Sequence, residues 1–217
     1  MRVTLSVEKN NISNFVANVI SKYHFDETAK GKLTDIYGQI KECAKPYAIY
    51  RINQKATGIR TIDDSQAAVV AMTLGSGVDE LQDEYNAEGC LDEAYMIDCI
   101  ANELLLHMYE EFNKEYGRYH RRYIKKYIFV GEEIPLTDNK RLLEELKINK
   151  KTANYNGFDY EDNNGNTLEK EEIISNEYGV LTPTKSVIFY ALLSDNPNEK
   201  CQRICAGCSN YTCENKR

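Results

Sequence analysis

Hydrophobic and polar positions along the chain switch period several times, and the switches predict its elements. Arg2 to Val7 alternates and is rich in β-branched residues, which predicts a strand. From Ser13 to Tyr23, Phe15, Val16, Val19, Ile20 and Tyr23 recur at helical spacing. A second helix is expected from Glu27 to Ala44, with Leu33, Ile36, Tyr37 and Ile40 inward and Pro46 beyond its end. Tyr47–Ile52 predicts a strand. Ala67–Leu74 is almost unbroken in apolar character and predicts a strand buried on both faces. Gly75-Ser76-Gly77 closes it, and a helix is expected to restart over Val78–Ala87. Leu91 to Tyr116 is the clearest pattern. Leu91, Ala94, Ile97, Ala101, Leu104, Met108 and Phe112 form one stripe at steps of three and four, as in a long, largely buried helix.

The second half is less regular. Thr137 or Asp138 is placed to cap a short helix over Lys140–Leu146. Asn154 to Asn166 is polar, carries Gly157 and Gly165, and predicts a turn or hairpin. Ser186–Ala191 predicts the last strand, and Ser194–Asn198 a linker. Strands and helices mix without regular βαβ alternation, so the expected fold class is α+β. The expected organisation is a single domain over residues 1–195 and a cysteine-rich tail over 196–217.

Composition narrows the partners. The chain has 217 residues, 42% hydrophobic and 28% charged, enough to bury a core without covalent staples. No apolar run approaches a membrane span, and the first residues, MRVTLSVEKNN, have no apolar signal core. The expectation is a cytoplasmic protein with no membrane partner. A net charge of −7 repels phosphate backbones and argues against nucleic-acid binding. The basic stretch Arg118–Tyr127 breaks that trend. It is read as the end of the preceding helix, where cations complement the helix dipole, in preference to an RNA-stacking surface. His107, at the edge of the long stripe, is read as a packed side chain.

Candidate metal chemistry gathers late in the chain. Cys201, Cys205, Cys208 and Cys213 fall within CQRICAGCSNYTC, with three, two and four residues between them. Short spacings let thiolates converge on one metal or cluster, and four soft ligands suit a [4Fe–4S] cluster or a structural Zn ion. A single CxxC step tilts the reading towards iron–sulfur. The first three cysteines also match C-x3-C-x2-C of radical S-adenosylmethionine enzymes. The late position of the motif and the presence of Cys213 as a fourth ligand argue against that class. Residues 160–171 match part of a calcium loop, but Tyr160 stands at the first ligand position, so a hairpin turn is preferred.

Three stretches together resemble the activation (S-adenosylmethionine-binding) domain of cobalamin-dependent methionine synthase, and more closely its stand-alone forms in anaerobic bacteria. The first is Pro46 to Arg51 followed by Thr73-Leu74-Gly75-Ser76-Gly77-Val78-Asp79, similar to P-x-x-x-Y-R and then T-L-G-x-G-(I/V)-(D/E). The second is the long helix. The third, Glu177 to Val187, is similar to T-E-S-x-x-M-x-P-x-K-S-V, with Glu177 on its glutamate, Tyr178 on its serine, Pro183 on its proline and Lys185-Ser186-Val187 on K-S-V.

The resemblance implies a helix-rich α+β domain with a twisted antiparallel sheet. It implies binding of S-adenosylmethionine and docking on a cobalamin-carrying methyltransferase, which is reactivated by reductive methylation. In a gapless match anchored on Pro135, the family's R-x-x-x-G-Y motif places Lys126 at the arginine, Val130 at the glycine and Gly131 at the tyrosine. The candidate ligand-binding residues are therefore Lys126, Gly131, Glu177 and Tyr178. No catalytic side chain is implied, because a sulfonium already activates its methyl group and the protein's part is alignment. The tail would carry a cluster that supplies or relays an electron, or pass one on from a separate donor. The other reading is a non-catalytic binding or assembly protein, with a degenerate core of the same kind and a structural zinc tail.

Overall fold

A computed structural model describes residues 1–53, 67–131, 134–148, 173–196 and 198. The four tail cysteines, the calcium-like loop and the polar hairpin expected over 154–166 lie outside these residues. Among the described residues, seven strands and five helices follow in the order β1 (Arg2–Thr4), α1 (Ile12–Tyr23), a 3-10 turn (Glu27–Ala29), α2 (Lys30–Cys43), β2 (Tyr47–Asn53), β3 (Ala67–Thr73), α3 (Gly77–Ala87), α4 (Leu91–His120), β4 (Tyr123–Phe129), α5 (Asp138–Ile148), β5 (Ile174–Ser175), β6 (Leu181–Thr182) and β7 (Ser186–Ser194). The fold is mixed α and β with an antiparallel sheet.

That sheet has the order β1-β2-β3-β7-β4, and every pairing is antiparallel. β3 is central and buried at all seven positions. Its side chains alternate between two cores, as the period of a strand requires. Ala68, Val70 and Met72 pack among α1, α2 and α4, whereas Ala67, Val69 and Ala71 pack with Leu142 and Leu143 of α5. The expectation of a strand covered on both faces holds, and the two covers differ. A large helical layer closes one side; α5 and the short β5–β6 hairpin close the other.

Helix α4 is the spine of the larger core. Ile97, Ile100, Ala101, Leu104, Met108 and Phe112 are fully buried. Leu91, the first residue of the expected stripe, is instead 66% exposed, because it sits in the terminal turn beyond the neighbouring helices. His107 is largely covered, with Glu110 and Glu111 near its ring, and burial pulls its pKa down, as expected for a packed side chain. Toward the end of α4, rings interlock: Tyr116 lies 5.4 Å from Tyr50 and 4.6 Å from His120, and the Tyr50 hydroxyl bonds His120 Nε2 at 2.8 Å.

The basic stretch 118–127 bears out the reading as a helix end as far as His120 and departs from it beyond. The helix ends at His120, Arg121 turns left-handed at φ 52°, and Tyr123 onward is strand β4. A bulge between Ile124 and Lys126 hides the strand from a period-two pattern. It brings Ile124 and Tyr127, three residues apart, into the same core. β1 is also shorter than expected, ending at Thr4, although Leu5 and Val7 stay buried.

Candidate functional site

The segments that carry the family resemblance meet in two places. The first is a polar knot where β3, β7, α3 and α4 converge. Thr73, at the end of β3, accepts through Oγ1 from the Ser186 hydroxyl at 2.8 Å and from the Gly75 N–H at 3.0 Å. Asp79, in the first turn of α3, accepts from the Thr184 backbone N–H at 2.7 Å and from its hydroxyl at 2.6 Å. Between them Lys185, 8% exposed, donates to Asp98 Oδ1 at 2.5 Å and Asn102 Oδ1 at 2.8 Å, both on α4. Asn102 closes the ring by donating to Asp98 Oδ2 at 3.1 Å.

A lysine taken out of water needs a paired and hydrogen-bonded charge, and Asp98 supplies it. The T-L-G-x-G stretch, the long helix and the P-x-K-S-V stretch are therefore joined by hydrogen bonds between residues up to 113 positions apart. Asp98 and Asn102 did not stand out in the sequence. Their four-residue spacing on the stripe's margin was the available signal.

The second meeting place is on the α5 side of the sheet, where the other candidate residues fall. Lys126 lies on β4 opposite Leu192, a residue that packs with the smaller core. Gly131 follows the end of β4 with φ +100° and donates its N–H to the Ile134 carbonyl at 2.7 Å. The left-handed position that favours glycine thus falls at residue 131, one place beyond the gapless match to the family's glycine. Glu177 and Tyr178 occupy the tip joining β5 to β6, and both are exposed, Tyr178 at 70%.

That tip is built by Asn176. Its Oδ1 accepts from the N–H groups of Tyr178 and Val180, each at 3.0 Å, and its backbone N–H bonds the Val180 carbonyl at 3.0 Å. An asparagine two residues before a turn position does this routinely. Gly179, at φ +83°, then presses onto the loop ahead of α5. A Cβ there would lie 2.2 Å from the Leu136 carbonyl oxygen. Asn139 Nδ2 donates to the Gly179 carbonyl at 2.8 Å.

Leu136 is the common neighbour of the two candidate glycine regions: its Cδ1 stands 3.8 Å from where a Cβ of Gly131 would be. The fold thus brings Gly131 and Gly179, the residue after Tyr178 in the tip, against one residue. Lys126 is placed on the same side of the sheet.

Exposed apolar groups collect here as well. On the hairpin, residues 174, 176, 180 and 182 share the outer face, and Ile174 and Val180 are 52% and 54% exposed. Tyr178 at the tip and Leu136, 47% exposed, extend the patch. The inner face carries buried Ile173 and half-buried Leu181. The outer face thus exposes the apolar side chains of Ile174 and Val180 beside Asn176 and Thr182.

Among the described residues no group of three or more His, Cys, Asp or Glu side chains is arranged to hold a metal ion. Among them, too, no helix is long and apolar enough to cross a membrane. No protein-family model matches the chain, and no curated protein matches it.

Proposed function

We propose that this protein serves the reductive activation of a cobalamin-dependent methyltransferase, in the manner of the activation domain of methionine synthase. It would bind S-adenosylmethionine and dock on a corrinoid-carrying domain. The observation that supports the reading is that Gly131 and Gly179, the residue after Glu177 and Tyr178 in the hairpin tip, both lie against Leu136. Glu177 and Tyr178 stand 46 and 47 residues beyond Gly131 in the chain (177 − 131 and 178 − 131), and the resemblance selects the three as one site.

The residue chemistry fits the ligand. S-adenosylmethionine supplies an activated methyl group when bound. Glu177 offers an exposed carboxylate suited to ribose hydroxyls or to a cationic centre. Tyr178 offers a ring face and a hydroxyl. Lys126 carries the positive charge that the family's arginine brings to the carboxylate, as a point charge without the arginine's planar fork. Gly131 leaves the backbone accessible where the ligand's apolar parts would approach. The patch of Ile174, Val180, Tyr178 and Leu136 would meet the corrinoid domain and exclude water from the interface.

The tail cysteines Cys201, Cys205, Cys208 and Cys213 would hold a [4Fe–4S] cluster placed to pass an electron to the partner. Iron and sulfide analysis after anaerobic purification tests this, and stoichiometric zinc in a colourless protein would contradict it. Anaerobic calorimetric titration with S-adenosylmethionine, with and without a cobalamin-loaded methionine synthase corrinoid domain, tests the main reading. Absence of heat in both arms would overturn it.

A second reading is favoured by one observation, the exposed apolar hairpin face itself. A binding or assembly protein with a structural zinc tail would use that face without any small ligand. Partner binding that is indifferent to S-adenosylmethionine would select it.

A further inference from the structure

Asn139 is the second residue of α5 and is only 3% exposed. The same helix buries Leu142 and Leu143 in the smaller core, which Ile134 and Ile173 also join. One half of its amide is used, since Nδ2 donates to the Gly179 carbonyl at 2.8 Å. The other half is not, because Oδ1 is buried without a hydrogen-bond partner among the described residues. Leaving a buried acceptor unsatisfied costs stability, and an apolar side chain of the same shape would avoid that cost. An asparagine here is therefore poor packing and a good latch.

The hairpin it holds needs one. β5 and β6 are two residues each, far below the size at which an isolated hairpin is stable in water. Inside the tip, Asn176 fixes the turn through the bonds to Tyr178, Val180 and Gly179. None of those bonds ties the tip to the rest of the protein. Besides the inward packing of Ile173 and Leu181, the ties at the tip among the described residues are the backbone approach of Gly179 to Leu136 and the side-chain bond from Asn139. Asn139 is in turn anchored to the same loop, its N–H bonding the Leu136 carbonyl at 3.1 Å.

We infer that Asn139 is a positioning residue: it holds the Glu177–Tyr178 tip in fixed register with Gly131 without touching a ligand. The role in binding rests on the reading of that tip as the S-adenosylmethionine-facing element; the latch itself rests on geometry alone.

The variant Asn139→Leu separates positioning from stability. Its melting temperature is expected to change little, because the orphaned Asn139 acceptor goes while the Gly179 carbonyl loses its donor. Amide exchange of Tyr178 and Val180 is expected to speed up by about tenfold, as the hairpin opens locally. Affinity for S-adenosylmethionine, read by calorimetry on the full chain, is expected to fall by about tenfold, the cost of ordering the tip on binding. Asn139→Ala gives the same comparison should leucine not be accommodated, since alanine suits a first helical turn and cannot donate.

Unchanged exchange across residues 174–182 overturns the latch. Faster exchange with unchanged affinity overturns its role in binding. If the unaltered protein takes up no S-adenosylmethionine, the proposed function fails, and the latch is decided by exchange alone: acceleration sustains it and constancy removes it.

Discussion

The polar knot and the hairpin tip are both assembled from segments that resemble one family, yet they are opposite kinds of structure. In the knot the charges and hydroxyls answer one another. Lys185 meets Asp98 and Asn102, Thr184 meets Asp79, and Ser186 meets Thr73. At the tip Asn176 holds the turn by accepting from Tyr178, Gly179 and Val180, while Glu177 and Tyr178 are exposed beside Ile174 and Val180. The difference teaches how to divide a motif. Residues whose polar atoms are consumed by other parts of the chain hold the fold. Residues displayed on a rigid, internally satisfied support are available for a ligand or partner.

The sharpest test of that division is Gly179→Ala. It adds a Cβ against the backbone of Leu136, where no side chain can yield, and it does so at φ +83°. Overpacking and left-handed strain together predict a loss of about 3 kcal/mol in urea denaturation. A loss near zero would mean that the hairpin is not docked as described.

Asp98→Ala comes next. Removing one partner of a buried pair costs about 3–5 kcal/mol, but the Asp98 side chain is 38% exposed, so about 2 kcal/mol is expected. The same measurement on Glu177→Gln and Tyr178→Ser should give changes within about 0.5 kcal/mol, while partner or ligand affinity falls. Losses at the tip equal to that of Asp98→Ala would erase the distinction between the two regions.

The smallest effect concerns pH. Burial, Arg122 and the chain's amino terminus pull the His120 pKa below its ordinary value of 6.5, so the fold favours the neutral ring. Its contribution is complete above that value and is lost as pH falls from there through the lowered pKa. His107 is shifted the same way, chiefly by burial, so it adds to the slope. His120→Asn should flatten part of the decline in melting temperature just below pH 6.5, and His107→Asn the rest.

The long helix and the doubly covered strand were legible because their patterns are long and uninterrupted. β3 is apolar at nearly every position, and α4 keeps its stripe for six turns or more. β4 was not legible: its bulge shifts apolar residues off the alternating pattern, and basic residues fill the positions between. β5 and β6 are too short to have a period at all. Glu177 and Gly131 were selected by resemblance to a motif; Gly131 and Gly179, two residues beyond Glu177, lie against Leu136. Asn139 and Asp98 were missed because what they do depends on partners 40 and 87 positions away, a distance no local pattern reports.

The place of β7 has a consequence for synthesis of the chain. It is the last of the described strands, yet it lies inside the sheet, between β3 and β4. While the polypeptide emerges, β3 pairs only with β2, and its other edge, apolar throughout, waits for residues more than a hundred positions later. A nascent chain stalled before Ser186 therefore carries two open strand edges flanking an unfilled slot, the arrangement most prone to pairing with a neighbour on the same polysome. Completion of the last strand is the event that makes this protein safe to release.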